Sequence, residues 1–132
     1  MMNLVIYTKV KIDSFNFDIF NNKISFFITV FDDETRFYKV IFHDVSSFYF
    51  LKNNRENRFN IFEYEEGDYL EFTYIGYYPK TVGLINISHS DEAWTEQWYS
   101  SANFAIEIWS SMLFIEAKKI EINSKVYVLI PD

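Results

Sequence analysis

Residues 23–31, KISFFITVF, alternate with a period of two: Ile24, Phe26, Ile28 and Val30 fall on one side, Lys23, Ser25 and Thr29 on the other. Successive side chains of an extended chain point to opposite faces, so the pattern predicts a β-strand with one face in a core. The same period runs outward in both directions. In LVIYTKVKI (4–12), Leu4, Ile6, Thr8, Val10 and Ile12 share a face. Asp13-Ser14 reads as a turn, and FNFDIF (15–20) sets Phe15, Phe17 and Ile19 against Asn16 and Asp18. Asn21-Asn22 supplies the positive φ of a tight hairpin. The acidic turn DDET (32–35) leads into RFYKVIFHDV (36–45), which completes an antiparallel meander.

Further along, Asp44, Ser46 and Ser47 interrupt the alternation of 42–51 and predict a bulge or bend. KNNRENR (52–58) reads as a loop. FNIFEYE and YLEFTYIGYY flank Glu66-Gly67-Asp68 as the strands of a hairpin, and Pro79 ends the second. GLINIS (83–88) is a short strand. DEAWTEQWYSS (91–101) predicts the one helix, with Ser90 as its cap, Asp91 and Glu92 at its positive end, and Trp94 and Trp98 one turn apart. Then come strands at 104–109 and 112–122. In the second, Leu113, Ile115 and Ala117 keep one phase and Ile120 and Ile122 the other, which predicts a bulge near Lys118-Lys119. Asn123-Ser124 turns into KVYVLI. About nine short strands at this turn spacing predict an all-β fold with one short helix, an antiparallel β-sandwich or a strongly curved open barrel.

The chain of 132 residues is 49% hydrophobic and 21% aromatic, enough for a core in a single domain spanning 1–132. Without cysteine there is no disulfide, thiol nucleophile or cysteine-bound zinc. The N-terminal apolar run is broken by Thr8, Lys9 and Lys11, unlike a signal peptide, and no window approaches the roughly 20 apolar residues of a membrane span. A cytoplasmic protein is the expectation.

The net charge of −7 is confined to one region. Residues 56–96 hold nine acids (Glu56, Glu63, Glu65, Glu66, Asp68, Glu71, Asp91, Glu92, Glu96) and two bases (Arg58, Lys80), a net of −7, and the rest of the chain is neutral. Nucleic acids and anionic membranes attract basic stripes, so neither is an expected partner.

No constellation of catalytic residues emerges. His89, Asp91 and Glu92 in HSDE offer three donors, but the second histidine, His43, is distant, and acids at a helix start are ordinary. His43-Asp44 beside Ser46-Ser47 lacks a nucleophile elbow, and neighbours on a strand face opposite ways. The glycines form no phosphate loop, and DDET lacks the spacing of a calcium loop. No metal or cofactor is expected, and the protein is expected not to be an enzyme.

Two features point to a macromolecular partner instead. Glu63, Glu65, Glu66, Asp68 and Glu71, interleaved with Tyr64 and Tyr69, concentrate like charge on one stretch. Such a field speeds association with a basic protein and orients it, which dispersed charge does not do. Tyr74, Tyr77 and Tyr78, with Trp94, Trp98 and Tyr99, are residue types favoured as interface anchors.

The segments YKVIFHDVSSFYF (38–50) and FAIEIWSSMLFIEAKKIEI (104–122) resemble small all-β proteins encoded beside polymorphic toxins of Gram-positive bacteria. The matching positions are the F-x-D-V strand and Leu113, Ile115, Ala117, Lys118 and Ile120-Glu121-Ile122. The resemblance implies a binding protein of the immunity type, with no catalytic residues to carry over. The expected function is occlusion of a toxin domain through the acidic, aromatic-bearing region 56–99. Two alternatives accompany it: a phage-encoded inhibitor of a bacterial defence protein, and a small-ligand or carbohydrate module with an aromatic-lined concavity. A weak hydrolase using Glu63, Glu65 or Glu71 belongs to the same second class.

Overall fold

A computed structural model describes residues 10–31, 33–61, 63 and 65–131. Nine strands are seen among them: β1 (Val10–Asp18), β2 (Lys23–Val30), β3 (Asp33–Leu51), β4 (Glu71–Tyr77), β5 (Gly83–Asn86), β6 (Tyr99–Ala102), β7 (Phe104–Ile108), β8 (Ser111–Ile122) and β9 (Lys125–Val128). The main sheet runs β3-β2-β1-β4-β7-β8-β9, and β3 also pairs with β8. The ring β1-β2-β3-β8-β7-β4 therefore returns on itself, every neighbour antiparallel. Of the two expected architectures the curved barrel is the one formed, and it closes through a short seam, Val10↔Phe72 and Lys11↔Glu71. β5 and β6 form a separate two-stranded arm.

The inward phase read from the sequence holds. Ile24, Phe26, Ile28, Val30, Leu113 and Ile115 are buried, and they join Phe42, Phe72, Ile75, Phe104, Ile106 and Ile120 in one core. Phe26 sits at its centre, with ring centroids 5.7 Å from Phe72 and 6.3 Å from Phe42. Leu4, Ile6 and Thr8, assigned to the same face, lie outside the described residues.

Bulges let short alternating segments bend around so small a core. Asp13-Ser14 does not turn the chain as expected. β1 runs through it, and the register moves from Ile12↔Ile28 to Ser14↔Phe27, leaving Asp13 as the extra residue. Its carboxylate accepts the Thr29 hydroxyl, which satisfies the polar group without ending the strand. The expected interruptions of 42–51 and of Lys118-Lys119 are two halves of one event. β3 passes from buried Phe42 to buried Val45 as its partner β8 passes from Ile120 to Ala117. At the crossing Asp44 takes φ 53, and the Val45 N–H turns to the Asn22 carbonyl at 2.9 Å. Ser46 is bulged one step further on.

Positive φ marks the turns as predicted: Asn22 (φ 55) between β1 and β2, Asn123 (φ 48) and Ser124 (φ 74) between β8 and β9. Two expectations fail. No helix forms over 91–101. Ala93–Gln97 makes a single 3-10 turn without a side-chain cap, and Tyr99–Ala102 is strand β6. Pairing with β5 satisfies the backbone there, so tertiary context overrides a helix-like pattern. The second error is the hairpin about Gly67. Glu71–Tyr77 is its only strand among the described residues, and 65–70 are irregular.

Asn103 is the hinge between barrel and arm. Its backbone N–H donates to Ile115 O at 3.0 Å, and its carbonyl accepts from Tyr78 N–H at 2.7 Å. Its buried side-chain amide donates to Ala117 O at 2.8 Å and accepts the Ala117 N–H at 3.1 Å. β7 covers the edge of β8 only as far as Ile115, and β9 covers it only from Lys119 onward, so one side chain stands in for the missing strand residue. Asn103→Ala removes both bonds and leaves a buried N–H and C=O unpaired. It is expected to cost about 2–4 kcal/mol in denaturant unfolding, and a loss under about 0.5 kcal/mol would contradict this role.

Candidate functional site

The acidic stretch is a loop, not a ladder. The Glu65 N–H donates to the Asp68 carboxylate at 2.8 Å and the Asp68 N–H to Glu65 O at 3.0 Å, closing a four-residue turn in which Gly67 takes φ +92. That conformation favours glycine. Glu63, Glu65, Glu66 and Asp68 are all exposed. Phe62 and Tyr64 lie outside the described residues. Tyr69 is half-buried, its ring 4.8 Å from that of Phe31, so it anchors the loop to the end of β2. Glu71 is half-buried in β4 opposite Lys11, and its carbonyl accepts the Trp109 N–H.

The tryptophans belong to the β5–β6 arm. The 3-10 turn at its tip is closed by Thr95, whose N–H and hydroxyl both donate to Glu92 O at 3.2 and 2.8 Å. The Trp94 indole N–H donates to the Glu92 carboxylate at 2.9 Å. Trp94, Trp98 and Tyr99 are nevertheless 58, 66 and 74% exposed, and Leu84 and Ile87 beside them are exposed too. The arm carries Asp91, Glu92 and Glu96, and residues 81–117 contain no Lys or Arg. At its base the arm lies on the outside of β8, with Ser101 N–H donating to the Glu116 carboxylate at 3.1 Å and Gly83 packed against Phe114.

These two groups do not make one continuous patch along the strand that joins them. The acidic loop enters β4 at Glu71 and the arm departs after Tyr77, about 20 Å away at the usual strand rise. Tyr77 and Tyr78 face opposite ways. Tyr77 packs inward, its ring 5.4 Å from that of Phe104. Tyr78 points outward and shares a hydrogen bond with the Tyr74 hydroxyl. Gly76 lies between them on the same face, and a Cβ there would fall 2.1 Å from the Tyr74 oxygen. The glycine thus makes the tyrosine pair possible. The bond to Tyr78, with some desolvation, raises the Tyr74 pKa above the ordinary tyrosine value.

The histidines are drawn into local structure. His89 Nδ1 accepts the Asp91 N–H at 3.1 Å. His43 Nε2 lies 3.0 Å from the Glu121 carboxylate, across the strand pair, and Ser46 bonds Glu116 rather than the imidazole. Among the described residues no three His, Asp or Glu side chains converge as a metal site would require. No helix among them is long and apolar enough to cross a membrane. The sequence pattern located the acids and tryptophans. It missed the arm itself, whose exposed Leu84 and Ile87 carry no signal distinct from core residues.

Comparison with known proteins places the chain in a family: the model for the YxiG-like protein matches residues 2–127, and the chain belongs to that family. No curated protein and no solved structure matches it.

The tyrosine pair yields a titration. A raised pKa means the neutral phenol is favoured in the fold. Its contribution is fully present below the ordinary tyrosine pKa and is lost as pH rises through the raised value. In a ring-carbon NMR titration Tyr74 is expected to ionise later than an unpaired tyrosine. Tyr78→Phe and Gly76→Ala should each move it back toward the ordinary range, and an unchanged Tyr74 curve in both variants would refute the pairing.

Proposed function

We propose that this YxiG-like protein is a non-enzymatic binding protein, in its most specific form an immunity protein that occludes a toxin domain with a basic surface. The observation that carries the reading is the arm. Three large aromatic side chains stand mostly in water on a two-stranded projection devoid of positive charge. Exposed Trp and Tyr of this size are costly for a monomer to maintain and are the residue types that dominate binding energy at interfaces. The acidic loop supplies the second element, a field that attracts and orients a cationic partner before contact. The resemblance of 38–50 and 104–122 to immunity-type proteins supports the toxin-directed version.

Glu65→Gln, Glu66→Gln and Asp68→Asn together keep size and keep an acceptor for the Glu65 N–H, so the fold should be unaffected. Against the partner isolated from the native host, the triple variant is expected to associate about tenfold more slowly at low salt. The difference should shrink as salt rises. Trp98→Ala should act instead on dissociation, making it faster. Equal association rates for variant and wild type at low salt would sink the electrostatic part of the reading.

A further inference from the structure

The arm carries a strand edge that its own sheet leaves open. In the β5–β6 ladder Leu84 stands opposite Ser101, Ile85 opposite Ser100 and Asn86 opposite Tyr99. One position beyond, the Ile87 N–H donates to Trp98 O at 3.2 Å. Bonded and non-bonded pairs alternate along an antiparallel ladder. Ile85 therefore turns its N–H and C=O toward β6, and Leu84 and Asn86 turn theirs away from it. Ser101 fixes the same phase from the other strand, since its N–H leaves the ladder for the Glu116 carboxylate at 3.1 Å. Among the described residues the outer edge of β5 has no ladder partner. Edge strands are commonly guarded by a lysine or a proline. β9, which ends the main sheet, begins with Lys125, but Leu84-Ile85-Asn86-Ile87 holds neither charge nor proline.

We propose that the outer edge of β5 takes up an extended, basic segment of the protein partner as a third strand of the arm. This mode of contact rests on the protein-binding function proposed above. Leu84 and Asn86 present two N–H and two C=O groups along one edge, the complement of an extended backbone and not of a helix, whose own groups are already paired. Charge selects the occupant. Asp91, Glu92 and Glu96 stand in the connection beyond Asn86, and residues 81–117 hold no Lys or Arg. A basic strand meets opposite charge there, whereas a second copy of this arm would bring like acids together. Leu84, which is 72% exposed, shares the outward face with Tyr99, so an apolar side chain of the added strand would cover surface now in water.

The test is amide hydrogen exchange, read by NMR on the whole chain, alone and with millimolar acetyl-Lys-Val-Lys-Val-Lys-Val-amide. In the free protein Leu84 and Asn86 should exchange about tenfold or more faster than Ile85 and Ile87. The peptide should slow Leu84 and Asn86 by about tenfold or more, and the analogue with Glu in place of Lys should not. Asn86→Pro removes one outward N–H without touching the ladder, so it should abolish the protection of Leu84. Asn86→Ala should respond to the peptide as wild type does, and both variants should keep the thermal midpoint. Slow exchange of Leu84 and Asn86 before peptide is added would show the edge already filled and overturn the proposal. So would a peptide that protects neither amide, or one that protects them equally with Lys or Glu. If the peptide fails while the triple acidic variant still slows association with the native partner, strand addition falls and the binding function stands.

Discussion

The two edges of β8 hold this molecule together. One edge pairs with β3 from Met112 to Ile122. The other is shared in sequence by β7, by the side chain of Asn103 and by β9. Removing the β3–β8 pairing would leave an open sheet with a β3 edge and a severed core. Phe42 could not then meet Phe104, whose ring lies 4.8 Å away across the barrel. Burying both rings requires closure, and closure requires the strands to bend. The extra residues at Asp13 and Ser46, with the left-handed Asp44, allow that bending in place of glycine, which is scarce here.

Closure also decides what remains outside. A ring of paired strands has no place for the described part of 52–70 or for the β5–β6 arm, so both leave the barrel, one at each end of β4. This explains how the chain tolerates crowded acids at 63–71. Like charges facing one another across a ladder would be destabilising. In an exposed loop, water and salt screen them, and one carboxylate, that of Asp68, is put to use closing the turn. The arm is held more firmly, through Asn103 at its base and through Glu116, which accepts from both the Ser101 backbone and the Ser46 hydroxyl. Under the proposed function, the exposed acidic loop and the braced arm with its aromatic side chains suit different stages of recognition: capture at a distance, then retention.

The inward faces were legible because period-two alternation is a local property: Ile24 to Val30 and Leu113 to Ala117 needed no knowledge of their neighbours. The phase change near Lys118 was legible for the same reason, although its matching kink at Asp44 is what makes it structurally possible. Asp13-Ser14 misled because a polar pair signals a turn unless a partner such as Thr29 accommodates it in mid-strand. The helix at 91–101 misled because acids followed by tryptophans four apart fit a helical turn. The competing β5–β6 pairing spans residues 83–102 and is visible only once both strands exist. Ring closure, the role of Asn103 and the open edge of β5 depend on contacts between distant residues. None leaves a local pattern. Of the candidate binding residues, Glu63, Glu65, Glu66, Asp68, Trp94 and Trp98 are exposed, whereas Tyr77 is packed against the core.

The central claim is that recognition uses the two segments excluded from the barrel. Hydrogen–deuterium exchange on the complex with the native partner, compared with the free protein, addresses it most directly. The account predicts new protection at 63–71 and across the arm from Leu84 to Tyr99, with the barrel strands unchanged. Protection confined to β9 or to the face carrying Phe15 and Phe50, with the loop and arm exchanging as in the free protein, would contradict it.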